Sequence, residues 1–262
     1  MNKILLNLAI NAARKAGDAT LVYYRRGDTF KIKDDGSPVT LADITAHKVI
    51  NKALKVSNIP VVSEECMDMH LGANLYWLVD PLDGTKDYLA ETDEFTVNIA
   101  LIKDRSPILG VIFAPALCEM YVGMRSIGAW VEKDGHCTEC QPQGLSNILR
   151  MAVSRFHNHP DINLFASENN VDIRIAVGSA LKYGRLAIGE IDVFPRLVGS
   201  SEWDTAAGQA ILESAGGQVL DWCTGLPLHY GKQDRRNPRL LSIRAPYCFE
   251  NFILKTYKPG LL

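Results

Sequence analysis

The sequence predicts a layered α/β or α+β protein, and three stretches of the chain support this fold class. Apolar residues recur at helical spacing through the first 25 residues and again after Thr40, which predicts two amphipathic helices. Between residues 95 and 132, short apolar segments separated by turns predict antiparallel strands. Beyond residue 150, strand-like and helix-like segments alternate, which favours α/β layering.

The first half is predicted to contain two helices followed by a largely antiparallel sheet. The first helix covers residues 2–25, the stretch 34–38 forms a turn, and a second helix opens at Thr40. Strict alternation of apolar and small or polar residues in 95–101 predicts a half-buried strand. The strands predicted in this half are 31–33, 60–63, 75–79, 95–101, 108–113, 120–122 and 129–132.

The second half is predicted to alternate strands and helices, and the chain shows no internal repeat. Because residues 141–146 are polar and rich in turn formers, we expect one domain, 1–262, with lobes 1–145 and 146–262 and a functional site between them. The elements predicted in the second lobe are strands 151–153, 173–177, 191–194 and 218–220 and helices 181–188 and 204–215.

Composition excludes several classes of protein. The 262 residues carry 28 Lys and Arg against 30 Asp and Glu, a net charge of −2, which gives no electrostatic case for a nucleic-acid polymer as partner. The six cysteines form no disulfide framework, and the C-x-x-C at 137–140 lies in a turn-like region without a second pair at zinc spacing. No apolar run has signal-peptide or transmembrane length. We expect a cytoplasmic protein, leaving open a peripheral contact with the inner membrane face and the oligomeric state.

Two carboxylates follow the apolar strand 75–79, where the chain must bend. Asp80 and Asp83 are the acids, Pro81 fixes its own φ, and Gly84 permits a sharp turn, so both side chains can point toward one place. Crowded oxygen ligands suit a hard divalent cation, Mg²⁺ before Zn²⁺. The stretch therefore predicts a metal site at the end of a strand.

The residues after this bend are predicted to begin a helix. The N–H groups of a first turn at 85–87 would favour a phosphate, which would lie next to the metal. A structural alternative is that Asp83 or Thr85 only caps the helix.

The string DPLDGT at 80–85 is more specific than two spaced acids. It resembles the signature of the inositol monophosphatase superfamily of lithium-sensitive, magnesium-dependent phosphomonoesterases, and KDY at 86–88 resembles its bisphosphate-nucleotidase branch. WDTAAG at 203–208 is similar to the second signature of the superfamily. The resemblance covers residues 37–221 and implies the layered α-β-α-β-α fold of sugar phosphatases.

The resemblance also implies a metal site of four carboxylates and one carbonyl that holds two or three Mg²⁺ ions. Two divalent ions roughly 3.5–4 Å apart lower the pKa of a bound water and neutralise charge on the reacting oxygens. Asp204 lies near a predicted helix start, so a cap alone would also explain it. The implied ligands are Glu64, Asp80, Asp83, Asp204 and the Leu82 carbonyl.

Asp43 has two interpretations that do not exclude each other. Thr40-x-x-Asp43 fits the capping pattern of a helix start. The segment 37–43 also resembles the one that supplies a carboxylate acting with Thr85 to activate the attacking water. Glu65 is a weaker catalytic candidate, in support of the groups around the metal.

The phosphate and nucleotide contacts are implied by further segments. The N–H groups of Gly84 and Thr85, with Lys86, are expected to hold the scissile phosphate. SRFH at 154–157, GSALK at 178–182 and PRL at 195–197 resemble segments of the bisphosphate-nucleotidase branch. The contacts carried over are His157, Ser179, Lys182 and Arg196.

A physical argument also supports Lys182 and Arg196 as substrate contacts. A second phosphate needs fixed positive charge, and these two residues interrupt apolar strings. Each of them alone could be a solvated surface cation. Small departures from the pattern, such as Ala180 where a serine is common, leave exact substrate preference open.

These features together predict an enzyme that hydrolyses the 3′-phosphate of adenosine 3′,5′-bisphosphate to AMP and phosphate, with its sulfate-bearing precursor as a second substrate. One alternative is an inositol or sugar-phosphate monophosphatase with the same metal site. Another is a binding or regulatory protein that no longer turns over, but the presence of all four carboxylates, Thr85 and Asp43 argues against it.

Overall fold

The structure is a computed structural model that describes residues 2–26, 30–32, 38–66, 73–142, 144–156 and 159–254. The predicted nucleotide contact His157 and most of the predicted turn 34–38 lie outside the described residues. Among the described residues, no helix combines the length and apolar character needed to span a membrane.

Two helices form the first layer and cover one face of a sheet. The small side chains of Ala9, Ala12 and Ala16 on the first helix are fully buried, and Ile50 of the second helix belongs to the same apolar cluster. Thr40 caps the second helix as predicted, since its side chain accepts hydrogen bonds from the N–H groups of Ala42 and Asp43. These helices are α1 (Asn2–Leu21) and α2 (Leu41–Leu54).

The second layer is a seven-stranded sheet of spatial order β3-β4-β5-β6-β7-β8-β9, in which only the β3–β4 pair is parallel. A two-stranded ribbon, β1 with β2, precedes it, and a short helix α3 follows β4. Their bounds are β1 (Phe30–Ile32), β2 (Pro38–Thr40), β3 (Val61–Ser63), β4 (Leu75–Asp83), α3 (Thr85–Leu89), β5 (Thr96–Lys103), β6 (Ser106–Ala114), β7 (Glu119–Met124), β8 (Gly128–Lys133) and β9 (His136–Glu139).

The rest of the chain forms three more layers. Two helices lie between the first sheet and a second, five-stranded sheet of order β11-β10-β12-β14-β13, and a further helix covers the far side. The layering is therefore α-β-α-β-α, as expected from the resemblance. The bounds are β10 (Arg150–Ser154), α4 (Asp161–Glu168), β11 (Ile173–Val177), α5 (Leu181–Ala187), β12 (Val193–Arg196), α6 (Glu202–Ser214), β13 (Gln218–Asp221) and β14 (Leu240–Ile243).

Strand β5 is buried on both faces along Thr96–Ile102, so the predicted half-buried strand was wrong. Its large residues, such as Ile99, pack toward α1 and α2, while its small ones, such as Ala100, pack toward α6. Thr96 and Asn98, the polar residues of the alternation, are buried too, so the pattern does not mark an exposed face.

Helix α6 lies unusually close to the first sheet because two glycines leave room for it. A Cβ added at Gly110 would stand 2.2 Å from the carbonyl oxygen of Ala207, and one added at Gly123 would stand 2.4 Å from Cα of Ile211. Glycine inside a strand is typical of such close backbone approach. The contact fixes the height of α6, and therefore of Asp204 in its first turn, above the sheet.

Several elements were not predicted. β2, β9, α4 and β14 were missed, and the C-x-x-C segment lies on and just after the edge strand β9 rather than in a turn. Cys137 is exposed and Cys140 is buried. The two sheets fall on either side of residues 141–149, but helices α5 and α6 share a core with both of them. The division into lobes therefore stays a prediction.

Candidate active site

The site begins at an irregularity near the end of β4. The strand does not end after Val79 but continues to Asp83, and its pairing with β5 shifts between Asp80, opposite Asn98, and Asp83, opposite Thr96. In a regular strand, residues three apart point to opposite faces, but one extra residue on one strand changes that alternation. The bulge therefore allows both carboxylates to face the same side of the sheet.

A third carboxylate comes from the second half of the chain. Carboxylate oxygens of Asp80, Asp83 and Asp204 all lie within 4.8 Å of one another, and no other such group of three was found in the described part of the chain. Oδ2 of Asp204 accepts a hydrogen bond from the Ser201 N–H at 2.8 Å, as a helix cap does. A carboxylate has two oxygens, so capping and metal binding are compatible. We call Asp80, Asp83 and Asp204 the carboxylate wall.

The electrostatics of the carboxylate wall show what is needed to neutralise it. Burial raises the pKa of Asp80 well above its usual range, and the charges of Glu64, Asp83 and Asp204 raise it further. Burial and the charge of Asp83 raise the pKa of Asp204 to about 8. Asp80 is buried and Asp83 and Asp204 are half-buried. Three acids crowded in this way are unfavourable without a cation, and their all-oxygen chemistry suits a hard divalent metal ion. The residues present therefore fit such an ion.

The other two predicted ligands lie beside this wall. Glu64 and Leu82 line the same cavity as the three aspartates. Glu64 follows β3, where its N–H donates to the Val79 carbonyl, and its charge contributes to the raised pKa of Asp80. Its role, and that of the Leu82 carbonyl, stay predictions.

Asp43 is buried at the start of α2, and its capping interpretation is confirmed. Its Oδ2 accepts hydrogen bonds from the N–H of Thr40 at 2.8 Å and from the hydroxyl of Thr40 at 2.6 Å. Its charge also raises the pKa of Asp80, so it lies near the carboxylate wall. The catalytic interpretation, in which it acts with Thr85, stays a prediction.

Thr85 is the first residue of α3 and lines the cavity together with Gly84 and Lys86. Gly84 adopts φ +83°, the left-handed conformation that its lack of a side chain allows. The predicted helix start is correct, but the helix has only five residues. Glu65 is half-buried at the turn after β3. Burial of His47 lowers the pKa of that imidazole, and the negative charge of Glu65 acts in the opposite direction. Its supporting role stays a prediction.

A tight turn at 178–180 crosses from the second half of the chain to the carboxylate wall. The N–H of Ala180 donates to Oδ2 of Asp83 at 2.5 Å. Ser179 lines the cavity with φ +45°, a left-handed conformation that is uncommon for a residue with a side chain. Its carbonyl accepts a hydrogen bond from Nζ of Lys182 at 2.8 Å. The turn thus connects the predicted metal ligands to a buried lysine.

Lys182 and Arg196 line the same cavity, where their charges counteract the burial that raises the pKa of Asp83, and we call this pair the cation wall. The Lys182 side chain is buried, and burial together with the charge of Arg196 lowers its pKa to about 8. Arg196 donates to the carbonyls of Val198 and Gly199, each at 3.1 Å, and to the Ser154 hydroxyl at 3.5 Å. These contacts use three of its five N–H groups, so two remain for a ligand.

The cavity has a volume of about 400 Å³, and sequence reasoning missed part of its lining. Asp87, Ser154 and Thr205 stand inside the quoted motifs but were not singled out. Phe194 directly precedes the PRL segment, and the stretch 199–200 belongs to a run that departs from the family pattern, but neither was expected at the cavity. Tyr183 carries no motif signal, because only the fold brings it there.

A cavity lined by three close carboxylates and by two cations fits the class of metal-dependent phosphoric monoester hydrolases. The sequence model of the inositol monophosphatase family matches residues 1–242. The chain belongs to this family and, like its relatives there, is an enzyme.

Several relatives are similar over most of the chain. The protein named 3′(2′),5′-bisphosphate nucleotidase CysQ of Salmonella typhimurium is 39% identical over 225 residues, which are 83% of this chain and 91% of that protein. The protein of the same name from Escherichia coli is 38% identical over 233 residues, 86% of this chain and 94% of its own length.

Solved structures agree with the fold. The crystal structure of CysQ from Bacteroides thetaiotaomicron superimposes with a TM-score of 0.81 at 33% identity and covers 91% of this chain and 96% of that one. An inositol monophosphatase of Thermotoga maritima gives a TM-score of 0.77 at 22% identity over 93% and 92% of the two chains, which supports the fold alone.

Proposed function

We propose that this protein is a 3′(2′),5′-bisphosphate nucleotidase that releases the 3′-phosphate of adenosine 3′,5′-bisphosphate, giving AMP and phosphate. The observation that carries the proposal is the cation wall, which shares one cavity with the carboxylate wall. Relatives at 34–39% identity that carry this name support it.

Lys182 and Arg196 are close enough for each charge to disfavour the other, and both are turned toward the cavity. Two like charges held together are stable when an anion lies between them. A phosphate fits because the free N–H groups of a guanidinium match its oxygens and an ammonium adds a point charge. A substrate with a single phosphate on the carboxylate wall would leave the remaining N–H groups of this pair without a phosphate to bind.

The carboxylate wall serves the phosphate that is cleaved. Asp80, Asp83 and Asp204, with Glu64 and the Leu82 carbonyl, would hold Mg²⁺, two or three ions in all. Bound there, the metal neutralises phosphate charge and makes a water molecule more acidic.

The remaining steps depend on residues of the chain itself. The N–H groups of Gly84 and Thr85, together with Lys86, hold oxygens of the phosphate. Thr85, oriented by Asp43, accepts a hydrogen bond from the attacking water, and Glu65 supports the groups around it. Attack is in line with the ribose 3′-oxygen, which leaves as the hydroxyl of AMP, and no covalent phosphoenzyme forms.

The cation wall would bind the 5′-phosphate and orient the ribose for this attack, with Ser179 beside it. His157 is expected to contact the nucleotide. The sulfate-bearing precursor, adenosine 3′-phosphate 5′-phosphosulfate, carries the same 3′-phosphate and an anionic 5′-group, so we expect it to be a second substrate.

Turnover of three substrates in Mg²⁺ tests the proposal. We expect kcat/KM for adenosine 3′,5′-bisphosphate to exceed that for 3′-AMP at least about 10-fold, because 3′-AMP lacks the group that the cation wall would bind. Turnover of myo-inositol 1-phosphate should be lower still. Preference for the inositol phosphate would indicate an inositol or sugar-phosphate monophosphatase instead.

A further inference from the structure

An ion-pair cluster of Arg155, Glu94 and Asp87 contacts the turn 178–180, and of these three residues only Asp87 also lines the cavity. Arg155 donates from Nη2 to Oε2 of Glu94 and from Nε to Oδ1 of Asp87 at 3.2 Å. Oε2 of Glu94 also accepts a hydrogen bond from the Gly178 N–H at 2.8 Å. Arg155 belongs to a predicted nucleotide motif, yet it contacts these two acids and is not part of the cavity lining.

The turn is fixed at three successive residues by charged side chains. Glu94 accepts from the N–H of Gly178, Lys182 donates to the carbonyl of Ser179, and Asp83 accepts from the N–H of Ala180. Asp83 belongs to the carboxylate wall and Lys182 to the cation wall. The position of this turn therefore sets the spacing between the two walls.

Packing leaves the turn little freedom to move. A Cβ added at Gly178 would stand 2.6 Å from Oδ1 of Asp87 and 2.7 Å from the Glu94 carbonyl oxygen. The left-handed φ of Ser179 is unfavourable for a residue with a side chain and persists only where its surroundings hold it. Glu94 supplies the hydrogen bond on one side of this strained residue, and Arg155 holds Glu94 in place.

We propose that Glu94, Arg155 and Asp87 are positioning residues that hold the turn 178–180 and, through it, set the distance between the two phosphate-binding walls. This inference rests on the proposed function, because only a substrate with two phosphates depends on that distance. Loss of the cluster should weaken binding of the bisphosphate while leaving the chemistry at the carboxylate wall nearly intact, since Asp83 still holds Ala180.

The test compares Glu94→Ala with Asp93→Asn, using adenosine 3′,5′-bisphosphate and 3′-AMP as substrates. Asp93 is the neighbouring carboxylate and is also paired with an arginine, but its partners are Arg25 and Tyr24, away from the turn. For Glu94→Ala we expect KM for the bisphosphate to rise about 10-fold, with kcat and the KM for 3′-AMP changed less than about 3-fold. Asp93→Asn should change none of these values.

Two conservative variants keep the test decisive if Glu94→Ala does not fold, as judged by its thermal unfolding. Glu94→Gln keeps an acceptor for the Gly178 N–H but removes the charge that pairs with Arg155. Arg155→Lys keeps the positive charge but loses the planar guanidinium that binds Glu94 and Asp87 together. Both should show the same selective rise in KM, smaller than for Glu94→Ala.

Equal changes of KM on both substrates, or no change on either, would overturn the positioning role alone. If the unmodified protein showed no preference for the bisphosphate over 3′-AMP, the proposed function would be wrong, and this inference would fail with it.

Discussion

The carboxylate wall and the cation wall face the same cavity but are held in place by different means. Asp80 and Asp83 belong to a central strand and Asp204 to a helix seated on glycines, so rigid elements position all three. Lys182 and Arg196 also lie on regular elements, at the start of α5 and the end of β12, but their charged groups donate to backbone carbonyls of the neighbouring turns, those of Ser179, Val198 and Gly199. The direction of these two charged groups therefore depends on the contacts that hold the neighbouring turns, which is not so for the strand and helix that carry the three aspartates.

Substitutions in the two walls should therefore affect catalysis in different ways. Changes in the carboxylate wall should reduce the rate with every phosphate monoester, because each has to be cleaved there. Changes in the cation wall should alter the selectivity between substrates, because it meets only the second phosphate. Variants of the two walls therefore test whether the division of roles is real.

The largest effect is expected from Asp83→Asn. The asparagine keeps an acceptor for the Ala180 N–H but removes the negative charge of a predicted metal ligand, so the fold should persist. Since loss of a group that only supports a ligand costs 10–100-fold, loss of a ligand should lower kcat/KM at least about 100-fold on every substrate. Steady-state kinetics with bisphosphate and 3′-AMP measure this.

Asp134→Asn is the matched control, because Asp134 is an exposed acid in the turn between β8 and β9. Unchanged phosphate release by Asp83→Asn would contradict the placement of the metal site.

A selective effect is expected from Lys182→Ala. Removing one charged hydrogen-bond donor to the second phosphate should raise KM for the bisphosphate about 10–100-fold. KM for 3′-AMP should stay within a few-fold of its original value. Lys52→Ala, which alters an exposed lysine of α2, should leave both unchanged. An equal rise for both substrates would argue that Lys182 supports the whole site rather than the second phosphate.

The pKa of Lys182 gives a related effect of pH. Because its pKa is lowered to about 8, the side chain is charged below pH 8 and becomes neutral as the pH rises above it. KM for the bisphosphate should therefore increase from pH 7 to pH 9 relative to KM for 3′-AMP. A ratio that stays constant over this range would show that the lysine charge does not contribute to binding.

The smallest effect concerns stability and the metal. The pKa of Asp204 is raised from 3.8 to about 8, so without metal the folded state binds a proton more tightly than the unfolded state, and stability falls as pH rises from about 4 to 8. Mg²⁺ should cancel this loss. Its stabilisation should thus be larger at pH 8 than at pH 6, by about 5–9 °C in Tm, measured by thermal unfolding with Mg²⁺ or with EDTA.

Asp204→Asn should flatten this pH dependence of the metal effect. An equal Mg²⁺-induced shift at both pH values in the unmodified protein would argue that the metal does not bind at these carboxylates.

The sequence predicted the carboxylate wall well because most of its information is contiguous. DPLDGT and WDTAAG each place an acid beside residues that fix the local backbone, so chemistry and geometry are encoded together. The bulge of β4 and the close approach of α6 were not predicted. Glycines inside the predicted strands, Gly110 above all, could have indicated the close approach of α6.

The cation wall and its supports were harder to derive. Lys182 and Arg196 were found through resemblance, but the Glu94 and Arg155 cluster was not, because Glu94 lies in a loop without periodicity and Arg155 was grouped with a nucleotide-binding motif. Contacts 61 and 84 residues apart in sequence exist only once the layers are stacked. Local patterns carry no information about such pairs.

The central claim is that one cavity binds two phosphates, one on each wall. A crystal structure with adenosine 3′,5′-bisphosphate and Ca²⁺, which we expect to support little turnover because its coordination is looser, tests it most directly. The account predicts the 3′-phosphate beside metal held by Asp80, Asp83 and Asp204, and the 5′-phosphate within hydrogen-bonding distance of Lys182 and Arg196. A 5′-phosphate in solvent, with the cation wall unused, would contradict it.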